Sequence, residues 1–291
     1  MSYRKIERIF KNDRTHWVGN GFKVKQYFPT GQDREFFDRF SPFILMDYNA
    51  PCEFKGSNSR VGVDIHPHRG FETVTFALQG KVEHKDSAGN SGVIEPGDIQ
   101  WMTAGSGVLH KEFHEINYAK NDRIFHMIQL WVNLPKKDKM TPPKYQAITK
   151  DQMGLHQLPN GEIIVYAGEV LGTKGPANTF SPINIYKINL PKGESIEIQE
   201  PASHNTGMLM IQGKSTINNK ENVQTDDFIL FENDGNAYRI TAQEDSEIFV
   251  LSGEPLNEPV VAYGPFVMNT MEEIYQANID MQNGKFGSFD F

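Results

Sequence analysis

The sequence predicts an all-β protein of two β-barrels. Three observations carry the expectation: short apolar or alternating runs closed by turn residues, a charged proline-rich break near the middle, and an echo of one half in the other. Glu72–Leu78, Ile124–Val132 and Glu162–Tyr166 have strand length and are rich in β-branched and aromatic residues. Gln79-Gly80, Ala88–Asn90, Pro96–Asp98, Pro191–Gly193 and Gln212-Gly213 punctuate the runs with residues that turns favour. Strands at such spacing build sandwiches or barrels rather than βαβ units. Helical signal is sparse. Its best instance is Thr270–Asp280, where Thr270 can cap and Glu272 or Glu273 suits the first turn.

The break follows Trp131–Leu134, where Pro135–Pro143 is charged and rich in proline and reads as an extended linker. The expected organisation is a first barrel over 1–134, a linker over 135–147 and a second barrel over 148–291. The echo joins Ala77–Lys81 to Met210–Lys214, each followed by an acidic turn, Pro96–Asp98 and Thr225–Asp227, and a further apolar strand. Such self-similarity marks a duplicated unit.

Composition works by exclusion. A chain of 291 residues can bury a large core. No run approaches the ~20 apolar residues of a membrane-spanning helix, and Met1–Ile6 leads into no signal-like apolar stretch. The single cysteine, Cys52, cannot form an intrachain disulfide, which fits a reducing compartment. A cytoplasmic protein is expected, or a nuclear one if the source is eukaryotic. The net charge of −8, with Lys and Arg dispersed, argues against direct nucleic-acid binding and leaves room only for a protein partner at DNA.

Chemistry concentrates in two triplets, His66-Pro67-His68 and His110-Lys111-Glu112. Alternate residues of a strand share a face, so each triplet aims two metal-competent groups the same way. Two such strands lining one barrel bring three imidazoles and a carboxylate together, a shell for a divalent transition metal with positions left for water, substrate or O2. The bland alternatives are a solvated turn at His66–Gly70 and a charged loop after Ser106-Gly107. Glu72, four residues beyond His68, can be read as a ligand or as an acceptor that orients an imidazole. His16, His84, His114, His126, His156 and His204 have no partner at ligand spacing and read as surface or core histidines, with His114 the one nearest to Glu112. The second half contains no His-x-His. Counting back from Gln212 by the spacing that separates Gln79 from the histidine pair lands on Gln199 and Pro201. The second barrel is therefore expected to lack a metal.

Asp64–Val74 and Pro96–Glu112 resemble the signatures of the pirin family, a bicupin branch of the cupin superfamily, as do Gln129–Leu134, Gly253–Pro259 and Tyr263–Thr270. The resemblance implies two stacked cupin (jelly-roll) barrels with one metal, commonly iron, in the first. The family's three histidines and glutamate fall on His66, His68, His110 and Glu112, which takes Glu72 out of the ligand set and leaves Glu72 and Arg69 as supports behind it. It also implies either of two roles. Some bacterial members cleave the flavonol quercetin with O2 and release carbon monoxide; animal pirins are described as redox-responsive transcription cofactors. Fold alone transfers neither activity. The dioxygenase leads because Glu112 can take the proton of a flavonol 3-hydroxyl; the alternative is a non-catalytic, iron-binding regulator acting through a protein partner. Nitrogen and oxygen donors admit Fe, Mn, Co, Ni, Cu or Zn.

Overall fold

In the computed structural model, which describes residues 2–29 and 34–289, the chain forms two compact units. Each is a jelly roll of a seven-stranded and a four-stranded antiparallel sheet rather than a closed hydrogen-bonded barrel. The seven-stranded sheet of the first runs Lys144–Ile148, Ile99–Thr103, Phe71–Gln79, Arg123–Asn133, Phe43–Phe54, Phe22–Phe28 and His16–Val18. Its four-stranded sheet runs Gly62–His68, Val108–His114, Val82–Asp86 and Ser91–Ile94.

The second jelly roll repeats that order with Ile6–Lys11, Asp227–Phe231, Asn205–Gln212, Ser246–Gly253, Ile183–Leu190, Glu162–Ala167 and Gly154–Gln157. Its smaller sheet is Ser195–Gln199, Ala237–Ala242, Lys214–Ile217 and Glu221–Gln224. The duplication read from the sequence is thus strand for strand. The Gln-Gly echo marks the same tight turn in both, where Gly80 (φ 104°) and Gly213 (φ 88°) take a conformation that a side chain would strain. Ile188, Met210, Ile229, Ile240 and Ile248 belong to one apolar cluster drawn from both sheets of the second jelly roll.

The units are not consecutive in sequence. Ile6–Lys11 pairs with Asp227–Phe231 and completes the second jelly roll, whereas Lys144–Ile148 pairs with Ile99–Thr103 in the first. The described residues from Leu256 onward also belong with the first. The boundaries expected at 134 and 148 therefore differ from the compact units at both ends of the chain. Each seven-stranded sheet thus ends, at the same edge, on a strand drawn from a different part of the sequence.

The expected linker is itself structured. Lys136–Asp138 forms a 3₁₀ turn, and Lys139 is buried, its Nζ donating to Gly70 O (2.8 Å), Asn133 Oδ1 (2.7 Å) and Val267 O (2.9 Å). Burial pushes its ammonium down to about 7. A proline-rich charged run reads as solvated because three converging carbonyl acceptors cannot be seen from composition.

The helix expected at Thr270 spans Met271–Gln282. Glu273 N–H donates to Thr270 Oγ1 (3.2 Å), and Thr270 N–H donates to Glu273 Oε2 (3.1 Å), a reciprocal cap. Ile274 and Ala277 bury with Phe266, Met268 and Phe286, and Leu109 packs against them. Among the described residues no helix is long and apolar enough to cross a membrane.

Candidate metal centre

Gly62–His68 is an edge of its sheet, so Pro67, which cannot donate to a ladder, is tolerated between the two histidines. Its neighbour Val108–His114 runs antiparallel with His110 opposite His66 and Val108 opposite His68. The pairing converges three imidazoles: ring centroids are 4.1 Å apart for His66–His110, 4.7 Å for His68–His110 and 4.9 Å for His66–His68. One ligand atom from each lies within 4.8 Å of the others.

His110 tests the fit of a cation. It is fully buried, and neither ring nitrogen has a hydrogen-bond partner. Leaving such a group unpaired costs about 1–3 kcal/mol, and a bound ion would satisfy one of the two nitrogens. His66 Nδ1 faces Asp64 O at 2.8 Å and His68 Nδ1 faces Pro265 O at 3.4 Å. A carbonyl only accepts, so in each ring Nδ1 carries the hydrogen and Nε2 keeps its lone pair. Burial, reinforced by neighbouring imidazoles, holds His68 and His110 well below the usual histidine range, neutral and able to ligate. The residues present fit a divalent transition metal.

Glu112 lies in the same interior but in a second triplet. Its carboxylate is grouped with His110 and His84 rather than with His66 and His68. Thr75 Oγ1 (3.1 Å) and Gln100 Nε2 (3.4 Å) donate to Oε1, and Gln129 Nε2 (2.9 Å) donates to Oε2. The structure thus brings the three histidines together and holds the carboxylate beside them on three donors.

His84 corrects the sequence reading, which gave it no partner at ligand spacing. It is buried, opposite Glu112 in the ladder, with Tyr145 stacked on its ring. Gln100 Nε2 donates to Nδ1 (2.7 Å), and Nε2–H points to Asp86 Oδ2 (3.4 Å). Burial pushes the Asp86 carboxyl up, but hydrogen bonds from His84 and Asn90 outweigh it and hold it below its ordinary value. His84-Lys85-Asp86 is itself an i, i+2 triplet on a strand, so the rule that found the other two would have found it.

Of the proposed supports, Arg69 stands as a clamp. Its Nε donates to Ser106 O (2.7 Å) and its Nη1 to Asp280 Oδ2 (2.9 Å), tying the end of the His68 strand to the loop before His110 and to the C-terminal helix. Hydrogen bonds from Lys285, Gln276 and Arg69 hold Asp280 far below the carboxylate range. Glu72 does not orient an imidazole. Strand alternation turns it away from Thr73 and Thr75, and it accepts from Thr103 Oγ1 at 2.7 Å. His114 is no exception either: Arg123 Nε donates to its Nδ1, its Nε2 meets Gly21 O, and it stacks on Phe125. His126, His156 and His204 meet Tyr48, Thr173 and Ser252.

Burial pushes the Glu72 carboxyl up to about 7, against the opposing bond from Thr103. A folded-state value above the unfolded one contributes stability that is complete below about pH 4 and is lost as pH rises through 7. Glu72→Gln imitates the protonated acid. It should gain about 2–3 kcal/mol over wild type at pH 8 and little at pH 4. Urea midpoints at the two pH values check this, and an unchanged pH slope in the variant would refute it.

Strand register places Ile198, Glu200, Tyr238, Ile240 and Ile217 of the second jelly roll where the first has His66, His68, His110, Glu112 and His84. The expected equivalents, Gln199 and Pro201, are each one residue late. Glu200 precedes Gln212 by twelve positions where His68 precedes Gln79 by eleven. Glu200 accepts from Tyr186 OH (2.8 Å) and Asn184 Nδ2 (2.7 Å). Among the described residues no histidine–carboxylate cluster occurs there.

The sequence pattern described as Pirin matches residues 21–132, and that of the Pirin C-terminal cupin domain matches 185–287. A candidate quercetin 2,3-dioxygenase of Pseudomonas aeruginosa is 42% identical over 97% of this chain and 98% of its own. Human pirin is 36% identical over 84% of this chain and 83% of its own. The solved structure of a quercetin 2,3-dioxygenase from Acinetobacter baumannii superposes with a TM-score of 0.94 at 44% identity, covering 99% of both chains. With both patterns matched in order and a duplicated jelly roll beneath them, the chain belongs to the pirin family.

Proposed function

We propose that the chain is a cytoplasmic metal-dependent dioxygenase that opens quercetin-like flavonols with O2 and releases carbon monoxide. The observation that carries the reading is a fully buried His110 with both nitrogens unpaired, flanked by His66 and His68 and faced by the carboxylate of Glu112. Relatives named for quercetin 2,3-dioxygenase activity support the substrate class.

His66, His68 and His110 would hold one divalent ion, with Glu112, grouped with His110, as the fourth donor. Iron is the first choice, and Mn, Co, Ni, Cu and Zn suit the same donors. When bound, such an ion would supply Lewis-acid and redox chemistry toward a flavonol oxygen and O2. Glu112 takes the proton of the flavonol 3-hydroxyl. Thr75, Gln100 and Gln129 fix its carboxylate before substrate arrives, so little reorganisation accompanies the transfer. Trp131, with Phe71 stacked on it at 4.2 Å and His68 at 5.1 Å, walls the site with aromatic surface.

The test is anaerobic purification with metal analysis, followed by quercetin under O2 with carbon monoxide measured. One metal per chain is expected, because the second jelly roll has Ile198, Tyr238 and Ile240 at the ligand positions; saturation at two tight ions would show that reading to be wrong. Protein loaded in turn with Fe, Mn, Co and Ni that never releases carbon monoxide would sink the dioxygenase.

A further inference from the structure

Residues directly opposite in an antiparallel ladder share a face. Across the larger sheet of the first jelly roll, Gln100, Thr75, Gln129 and Asp47 form one such row. The next row, two residues along, contains Tyr145, Met102, Thr73 and Trp131. Gln100, Thr75 and Gln129 all touch Glu112, so both rows face the interior that holds the histidines.

A purely structural core would place aliphatic residues there. Instead Asp47 Oδ1, Gln100 Oε1, Thr73 Oγ1, Trp131 Nε1 and Tyr145 OH are buried without a hydrogen-bond partner. With the two nitrogens of His110, seven of the thirteen such atoms among the described residues belong to side chains of these two rows or of the histidine cluster. Unpaired buried groups are rare and costly, and their concentration marks a place completed by a polar guest. The set has a definite chemistry. Asp47 and Gln100 offer acceptors, Trp131 offers an N–H, and Thr73 and Tyr145 offer hydroxyls that do either. Three strand spacings separate Gln100 from Asp47, about 14 Å of backbone, a span for linked rings rather than one.

Resting on the flavonol reading, we propose that Asp47 is the remote anchor of the substrate: its carboxyl accepts a hydrogen bond from a phenolic hydroxyl far from Glu112 and selects polyhydroxylated, multi-ring aromatics. Gln129 stands between Asp47 and Thr75 in the row, so this contact is made away from the reacting oxygen. Burial alone, with no compensating cation, pushes Asp47 up to about 7, and a phenol donor offsets that cost in the complex.

The test measures binding without O2 to metal-loaded wild type, Asp47→Asn and Asp47→Leu, using quercetin and 3-hydroxyflavone, which keeps only the hydroxyl at the metal side. Wild type should prefer quercetin by about 10–100-fold, the range of one hydrogen bond to a charged group. Asp47→Leu should weaken quercetin by that factor and leave 3-hydroxyflavone nearly unchanged, with Asp47→Asn between. Metal content should stay constant, and Asp47→Leu should unfold at higher temperature, since it removes an unpaired buried acid. An unchanged preference in Asp47→Leu, or equal loss for both ligands, overturns the anchor. Quercetin that binds selectively but is never oxidised sinks the reaction and leaves the anchor standing. Absence of quercetin binding to wild type sinks both.

Discussion

Glu112→Gln is expected to retain its metal and lose flavonol turnover by a factor on the order of 10²–10⁴, the range associated with loss of a general base. Retention follows because His66, His68 and His110 converge without Glu112. Loss follows because a neutral amide cannot accept the 3-hydroxyl proton. The new amide also fits its surroundings imperfectly. Thr75, Gln100 and Gln129 all present donors to a carboxylate, and one end of the glutamine is itself a donor. Gln100 or Gln129 must turn its amide over. Metal content measured beside carbon monoxide release decides the matter: near-wild-type turnover in a metal-replete variant would remove Glu112 as the base.

His110→Ala should empty the site almost completely. Each of the other two histidines has a carbonyl at its Nδ1, whereas His110 has no partner at either nitrogen. Removing it deletes the ligand common to both triplets. The apo fold should survive, since the variant discards two unpaired buried nitrogens along with the ring, and far-UV circular dichroism should stay β-like. Thermal stability should then no longer rise with added metal, because a protein that cannot bind the ion gains nothing by mass action. His204→Ala, in the second jelly roll, is the control and should keep a full metal complement. Near-stoichiometric metal in His110→Ala would refute the assignment.

The histidine pairs were legible because strand periodicity is local: two ligands at i and i+2 need only one strand to share a face. The duplication was legible through the Gln-Gly turns, and the C-terminal helix through its cap. What escaped depends on register between strands far apart in sequence. Thr75, Gln100 and Gln129 are single polar residues in apolar runs until three ladders bring them to one carboxylate. Glu72 was misassigned because its proximity to His68 in sequence says nothing of the opposite face it occupies. Lys139 was read as part of an extended linker because its acceptors come from residues 70, 133 and 267. His84 was a different kind of omission, a local triplet with Asp86 in place of a second histidine.

The exchanged edge strand sets a timetable for synthesis. Ile6–Lys11 leaves the ribosome well before its partner Asp227–Phe231, which follows it by roughly 220 positions. At 5–20 residues per second that is a wait of roughly 10–40 s with Ile6, Ile9 and Phe10 unpaired. The first jelly roll can pair its own strands once Lys144–Ile148 has emerged, but the Arg69 clamp must wait for Asp280, which follows Arg69 by 211 positions. A nascent chain can therefore pair the two strands that carry His66, His68 and His110 well before Arg69 ties the loop ahead of His110 to the C-terminal helix.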